Sequence, residues 1–447
     1  MKKIALFLAA AVCVRAALFA SGLKFEVSCD KAGCVYSCGE TALFTVTVTD
    51  ETGAAARCGT VDAVLDNFGS MRLGSEKRDL AATNVFTVSG TLKDPGFLRL
   101  TLSAKGAERK VWSVAFDPRR IRKGSPSPTD FDRFWAAAKA ELAEKVPLDA
   151  RMDEVPERST AALGFYRVSF ATFGRRVYGY LSVPKDRTRA PWPVEVEVNA
   201  AGFGSWTNDM AGRDDAVCLR MSVYPFEMDW KWKEKNLKAT SYDVMNRELS
   251  KRFGTPGYST SGIAEGRESY FFYPVILGID RAVDWVLSRN DIDRTRVRYQ
   301  GTSQGGGFGF YLCGLNKAFT RAVFYVPALT DTMGYLAGRH SGWPKIIEGN
   351  SSTPGKRAAA EKWAPYFDGA NFASRITCPV RVVAGFSDVT CPPCAVYAAF
   401  NEIASADKDI FNGIGMTHSC RREFYVRGGE WARKHSGGGL QDGNPAR

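Results

Sequence analysis

Histidine is scarce in this chain: three in 447 residues, at His340, His418 and His435. Cys391 and Cys394 form one CxxC pair with two prolines between them and no second pair, so neither a Cys/His zinc site nor a redox dithiol is expected. Blocks of like charge are also missing. Basic residues outnumber acidic ones by 12, but no Lys/Arg stripe interleaved with aromatics occurs, which argues against a nucleic-acid partner. The one long apolar run, Ile4 to Val14, is too short to span a bilayer. No internal repeat is evident, which excludes a solenoid.

What is present describes an ordinary globular protein. Hydrophobic residues make up 45% and charged ones 24%, and the length suits two domains, each able to bury a core. Residues 1–20 have the plan of a secretory leader: Lys2 and Lys3, the apolar run, then small residues ending near Ala20. Export places the mature chain in an oxidising compartment, and Cys29, Cys34, Cys38 and Cys58 crowd its start. At least one disulfide is expected among them.

Two regions differ in hydrophobic period. From Leu23 to about Phe116 the alternation is by two: Phe44, Val46 and Val48 alternate with threonines, and Leu98, Leu100 and Leu102 with Arg99, Thr101 and Ser103. Turn signals break this stretch, so residues 21–120 are predicted as a β-sandwich of immunoglobulin type. The run "DPRRIRKGSPSP" reads as a linker. Beyond it Phe131, Trp135, Ala138 and Leu142 share a helical face, with Thr129 three residues before Asp132 as a capping-box start. Helix and strand then alternate, which predicts a mostly parallel sheet flanked by helices over 121–435, with a flexible tail at 436–447.

Within that second region Gly301, Ser303 and Gly305 form G-x-S-x-G between a strand and a helix, the nucleophile-elbow arrangement. Glycine at both flanks relieves the crowding of a tight turn, and the N–H of Gln304 faces the reacting carbonyl as an oxyanion donor. A serine hydroxyl needs a base, and on such a sheet the order is serine, acid, histidine. His435 lies in a polar tail and His340 precedes the best acid, which leaves His418. Asp388, at the end of "RVVAGFSD", is preferred as the acid, with Asp331 in "VPALTD" as competitor. Trp206, Tyr224, Trp230, Trp232 and Tyr258 crowd residues 205–268. They either stack on sugar rings, Trp206 and Trp230 foremost, or pack the insertion onto the body. Glu195 and Glu197 point to one face of a strand expected to be buried, where charges need partners or solvent.

"GTSQGGG", "SDVTCPPCAVYAAFN" and "TDFDRFW" together resemble the acetyl xylan esterase and cephalosporin C deacetylase family of α/β-hydrolases, over roughly residues 125 to 425. The resemblance implies removal of acetyl groups from small sugars, chiefly xylo-oligosaccharides, through an acyl-enzyme without metal or other cofactor. Its matching positions are Ser303 as nucleophile, Asp388 as acid and His418 as base, with the N–H at Phe203 in "NAAGFGS" as second oxyanion donor. The chain departs from the family pattern at Phe203, where tyrosine is usual, and at Thr417 and Ser419, where glycine and glutamate usually flank the histidine. The expected partner is an acetylated oligosaccharide, with no membrane once the leader is gone; a homo-oligomer is left open. Other acyl hydrolases, or a noncatalytic sugar-binding protein on the same fold, are the alternatives.

Overall fold

The computed structural model describes residues 22–202, 212–227, 242–254 and 257–434, so the segments predicted above as leader and tail lie outside it. The alternating region forms eight strands: β1 (Lys24–Cys29), β2 (Val35–Tyr36), β3 (Ala42–Thr49), β4 (Thr60–Asp66), β5 (Arg72–Asp79), β6 (Val85–Gly90), β7 (Gly96–Ala104) and β8 (Lys110–Phe116). They make a sheet ordered β1-β3-β6 and a second ordered β2-β8-β7-β4-β5. Their inner faces meet where Phe44 of β3 sets its ring edge-on to Trp112 of β8, centroids 5.9 Å apart. A disulfide joins Cys29 to Cys34. Strand β7 departs from the alternation, because Phe97 and Thr101 on its outer face are buried along with Leu98, Leu100 and Leu102. That outer face packs on the rest of the chain.

The connection is not a loose linker. Asn401 donates its side-chain amide to the carbonyls of Pro118 (3.0 Å) and Ile121 (2.7 Å), which pins the segment to the large domain. Helix α1 (Phe131–Lys145) buries Phe131, Phe134, Trp135, Ala138 and Leu142, the predicted stripe plus one residue. Its cap differs from the prediction. Asp130 occupies the N-cap without a side-chain cap bond, and the Asp132 carboxylate turns to Arg375 at 2.7 and 2.9 Å.

Nine further strands build one large sheet: β9 (Arg151–Glu154), β10 (Leu163–Thr172), β11 (Arg175–Pro184), β12 (Trp192–Val198), β13 (Val217–Ser222), β14 (Ile292–Thr302), β15 (Arg321–Tyr325), β16 (Val380–Gly385) and β17 (Lys408–Gly413). Their order is β17-β16-β15-β14-β12-β13-β11-β10-β9. Strands β13, β12, β14, β15, β16 and β17 run parallel, and β11, β10 and β9 continue antiparallel at one edge. Apolar runs such as "VRVVAG" in β16 are buried on both faces, as a helix-covered parallel sheet requires. The covering helices are α2 (Tyr242–Phe253), α3 (Phe272–Leu287), α4 (Gln304–Leu315), α5 (Ile346–Gly349), α6 (Pro354–Trp363), α7 (Gly369–Ala373), α8 (Pro393–Glu402) and α9 (Arg422–Arg433).

After β12 the chain crosses to β13 on one side, and after β14 to β15 on the other. The carboxyl ends of β12 and β14 therefore flank a topological switch point, where open α/β sheets form their binding crevice. Glu195 and Glu197 on β12 are half-buried and paired, Glu195 with Arg298 (3.4 Å) and Arg213 (3.7 Å), Glu197 with Arg220 (3.5 Å). Arginines on the neighbouring strands β13 and β14 and on the approach to β13 thus answer the charges that the sequence left open.

Candidate active site

Ser303 follows β14 directly and holds φ +56° and ψ −117°, a left-handed conformation costly for a side chain with a Cβ. Its backbone is held on three sides: its N–H donates to Tyr325 O at 2.9 Å, and its carbonyl accepts from Gly307 (3.0 Å) and Ala328 (2.9 Å). The flanking glycines are required by space. A Cβ on Gly305 would overlap the Val198 carbonyl, and one on Gly301 would overlap the carbonyl of Gly305. The turn thus lifts Oγ above the sheet edge, and the side chain is nearly buried, with the residue 8% exposed.

Three side chains far apart in sequence meet there. His418, in the loop between β17 and α9, places Nε2 2.9 Å from Ser303 Oγ and Nδ1 2.8 Å from Asp388 Oδ2. Asp388 is fully buried after β16, and its other oxygen accepts the N–H groups of Thr390 (2.8 Å) and Cys391 (2.9 Å). Those two donors fix the carboxylate's rotation, so Oδ2 faces the imidazole. The loops carrying acid and base also bond to each other, Ser387 N–H to Met416 O at 2.9 Å and Phe386 N–H to Gly413 O at 2.9 Å.

The competitor acid is engaged elsewhere. Asp331 is buried, pairs with Arg339 at 2.8 Å and accepts the N–H of Gly124 at 2.6 Å. Burial pushes its carboxyl above the ordinary range, against the pull of Arg339. His340 lies beside this pair's loop, where burial and then Arg99 lower its basicity. His435, Phe203, Trp206, Trp230 and Trp232 lie outside the described residues.

Gln304 opens α4, so its N–H is one of the helix-start donors without an intrahelical acceptor. Its side chain belongs to a network that sequence reading missed. Tyr258 Oη donates to Gln304 Oε1 at 2.7 Å, and Gln304 Nε2 donates to Asn199 O at 3.2 Å. Across the crevice the Gly202 N–H donates to Tyr224 Oη at 2.8 Å, and the two tyrosine oxygens stand 3.4 Å apart. Tyr224 and Tyr258 are buried, so they pack the insertion onto the body rather than stack on a sugar. No spacing rule links such tyrosines to Gln304; only the fold brings them together. At the rim, Thr302 Oγ1 donates to Tyr425 Oη at 3.3 Å, and the Tyr425 residue is 38% exposed.

Asp388, Cys391 and His418 offer ligand atoms within 4.8 Å of one another. The carboxylate oxygens and both imidazole nitrogens are engaged in the bonds above. Burial also pushes the Cys391 thiol well above its ordinary value, away from the thiolate that a metal binds.

A twisted, mostly parallel sheet with a serine elbow at its switch point is the α/β-hydrolase fold. Two solved structures have it in common with this chain. An acetyl xylan esterase from Paenibacillus sp. R4 matches with a TM-score of 0.59 at 24% identity, over 70% of this chain and 97% of that one. Acetyl xylan esterase 1 from Thermoanaerobacterium sp. JW/SL YS485 matches with a TM-score of 0.56 at 21% identity, over 70% and 96%. In sequence, acetyl esterase Axe7A of Xylanibacter ruminicola is 31% identical over 331 residues, 73% of this chain and 71% of that protein. The acetyl xylan esterase (AXE1) family profile matches residues 119–425. The chain belongs to the acetyl xylan esterase family and is a carboxylic ester hydrolase. The match begins at residue 119, so the amino-terminal pair of sheets lies outside it.

Proposed function

We propose that this chain is an exported serine esterase that deacetylates acetylated sugars, xylo-oligosaccharides or related plant polysaccharide fragments, through an acyl-enzyme. The observation that carries the reading is the His418 imidazole, bonded to Ser303 Oγ on one side and to the buried Asp388 on the other. In this reading Asp388 holds the proton of His418 on Nδ1, leaving Nε2 free to take the hydroxyl proton as Oγ attacks the acetyl carbonyl. The N–H of Gln304, with that of Phe203 as second donor, stabilises the oxyanion. His418 then protonates the leaving sugar oxygen, and a water activated by the same nitrogen frees acetate. The Tyr258–Gln304–Asn199 network supports preorganisation, because it ties the first donor to the loop that leads to the second.

Acetylated sugar as substrate rests on the family and on the acetyl esterase relative. Trp206, Trp230 and the exposed ring of Tyr425 are the proposed stacking surface. Export rests on the leader-like residues 1–20 and is consistent with the Cys29–Cys34 bridge; among the described residues no helix is long and apolar enough to cross a membrane. The amino-terminal sheets are read as an immunoglobulin-type sandwich, supported by their order β1-β3-β6 against β2-β8-β7-β4-β5. The test is acetate release from acetylated xylan, chitin and pectin fragments by the wild type and by Ser303→Ala. Loss of release in the variant supports the reading. Retained turnover, or wild-type activity confined to feruloyl, glucuronoyl or amide substrates, overturns it.

A further inference from the structure

We infer that strands β7 and β8 of the amino-terminal unit are a positioning device for the acid and base of the esterase site, acting through Ser113, Phe97 and Trp112. The inference rests on the triad reading above.

Ser113 on β8 is fully buried, and its hydroxyl donates to the carbonyl of Phe386, two residues before Asp388. Phe97 on β7 sets its ring edge-on to that of Phe386, centroids 5.1 Å apart, and also meets Tyr397 of α8 at 5.7 Å. Tyr397 in turn donates to Asn412 of β17 at 2.6 Å. Trp112 reaches the other loop. Gly415, three residues before His418, has φ +65°, and a Cβ there would lie 2.8 Å from the Trp112 indole nitrogen, so the backbone packs closely against that nitrogen.

The unit thus grips the loop of the acid and the loop of the base, while the elbow of Ser303 is set by β14, α4 and Tyr325 within the large sheet. A polar bond inside an apolar interface is directional, and it fixes where the Phe386 carbonyl points more tightly than packing alone. Displacing these loops moves the imidazole relative to a serine that stays in place. Catalysis is sensitive to such displacement at the scale of an ångström or less. Nothing in "KVWSVAF" distinguishes a side chain aimed at its own core from one aimed at another unit, so the sequence alone does not disclose this contact.

The test uses the full chain with Ser113→Ala and Trp112→Phe, each measured with an aryl acetate and normalised to serine titrated by a fluorophosphonate. Positioning predicts that kcat per titrated serine falls by about tenfold while KM changes by less than about twofold. It also predicts a pH profile of kcat/KM displaced from that of the wild type. Val48→Ala, buried on β3 four residues along the strand from Phe44 and paired with Phe25 of β1, serves as the control for simple destabilisation: its Tm falls and its kcat per titrated serine stays. If Ser113→Ala and Trp112→Phe both keep kcat per titrated serine within about twofold, the inference is wrong. If the wild type is not labelled at Ser303, the triad reading itself fails instead.

Discussion

Replacing Asp388 by asparagine keeps the shape of the side chain and changes the chemistry of one atom. In the wild type Oδ1 accepts two backbone N–H groups, from Thr390 at 2.8 Å and Cys391 at 2.9 Å. An asparagine must keep its carbonyl oxygen there, because its NH2 group would otherwise face two donors in a site with no exposure to water. The NH2 then faces His418 Nδ1, where the carboxylate oxygen stood at 2.8 Å. Nδ1 is thereby forced to accept, the ring proton moves to Nε2, and Nε2 presents a hydrogen to Ser303 Oγ in place of a lone pair. The base is lost without any change of fold. A triad whose histidine is held in the wrong tautomer loses about 10⁴-fold in kcat, roughly 5.5 kcal/mol of transition-state stabilisation. Steady-state hydrolysis of an aryl acetate, with thermal unfolding to show an unchanged Tm, is the assay. An Asp388→Asn enzyme within about tenfold of wild-type kcat would refute the assignment of both acid and base.

Asp331→Ala separates the two candidate acids: removing one partner of the buried Asp331–Arg339 pair lowers stability by about 3–5 kcal/mol in chemical denaturation, while kcat of the folded fraction persists. Gly305→Ala forces a methyl into the Val198 carbonyl and is expected to lower stability by about 1–3 kcal/mol and to abolish activity, whereas Gly355→Ala, which opens onto empty space, leaves both intact. Tyr258→Phe strands the Gln304 carbonyl oxygen in a buried site at a cost of about 1–3 kcal/mol, and esterase kcat falls with it; an unchanged kcat would detach this network from the oxyanion donor. Cys391 and Cys394 should resist iodoacetamide at pH 8 in the native protein, since burial raises both thiols, Cys394 to about 12, and keeps them protonated there; peptide mass mapping with and without denaturant reads the difference.

Much of the site was legible because its residues sit at chain-local signals. G-x-S-x-G marks a turn whose sterics demand glycine, an aspartate closing an apolar strand marks a sheet edge, and three histidines leave little choice of base. The two-residue period likewise disclosed the amino-terminal strands, and the helical stripe disclosed α1. What misled or stayed silent depended on partners remote in sequence. Thr129 lost its capping role because Asp132 found Arg375, and the segment after Phe116 looked like a linker because Asn401 is invisible to a local reading. For Tyr224 and Tyr258 the sequence left stacking on a sugar and packing of the insertion both open, and the fold decided for packing by burying them beside Gln304.

By itself, then, the polymer's order of residues determined its periodicities, its elbow and the identities of its nucleophile, acid and base candidates, because those follow from backbone sterics and side-chain chemistry within a few neighbouring positions. Only the tertiary structure decided that Asp388 rather than Asp331 meets His418, that Glu195 and Glu197 are answered by arginines, and that β7 and β8 bear on the loops of acid and base. Each of those outcomes turns on a distance between atoms separated by tens to hundreds of residues, and such distances exist only once the chain has closed on itself.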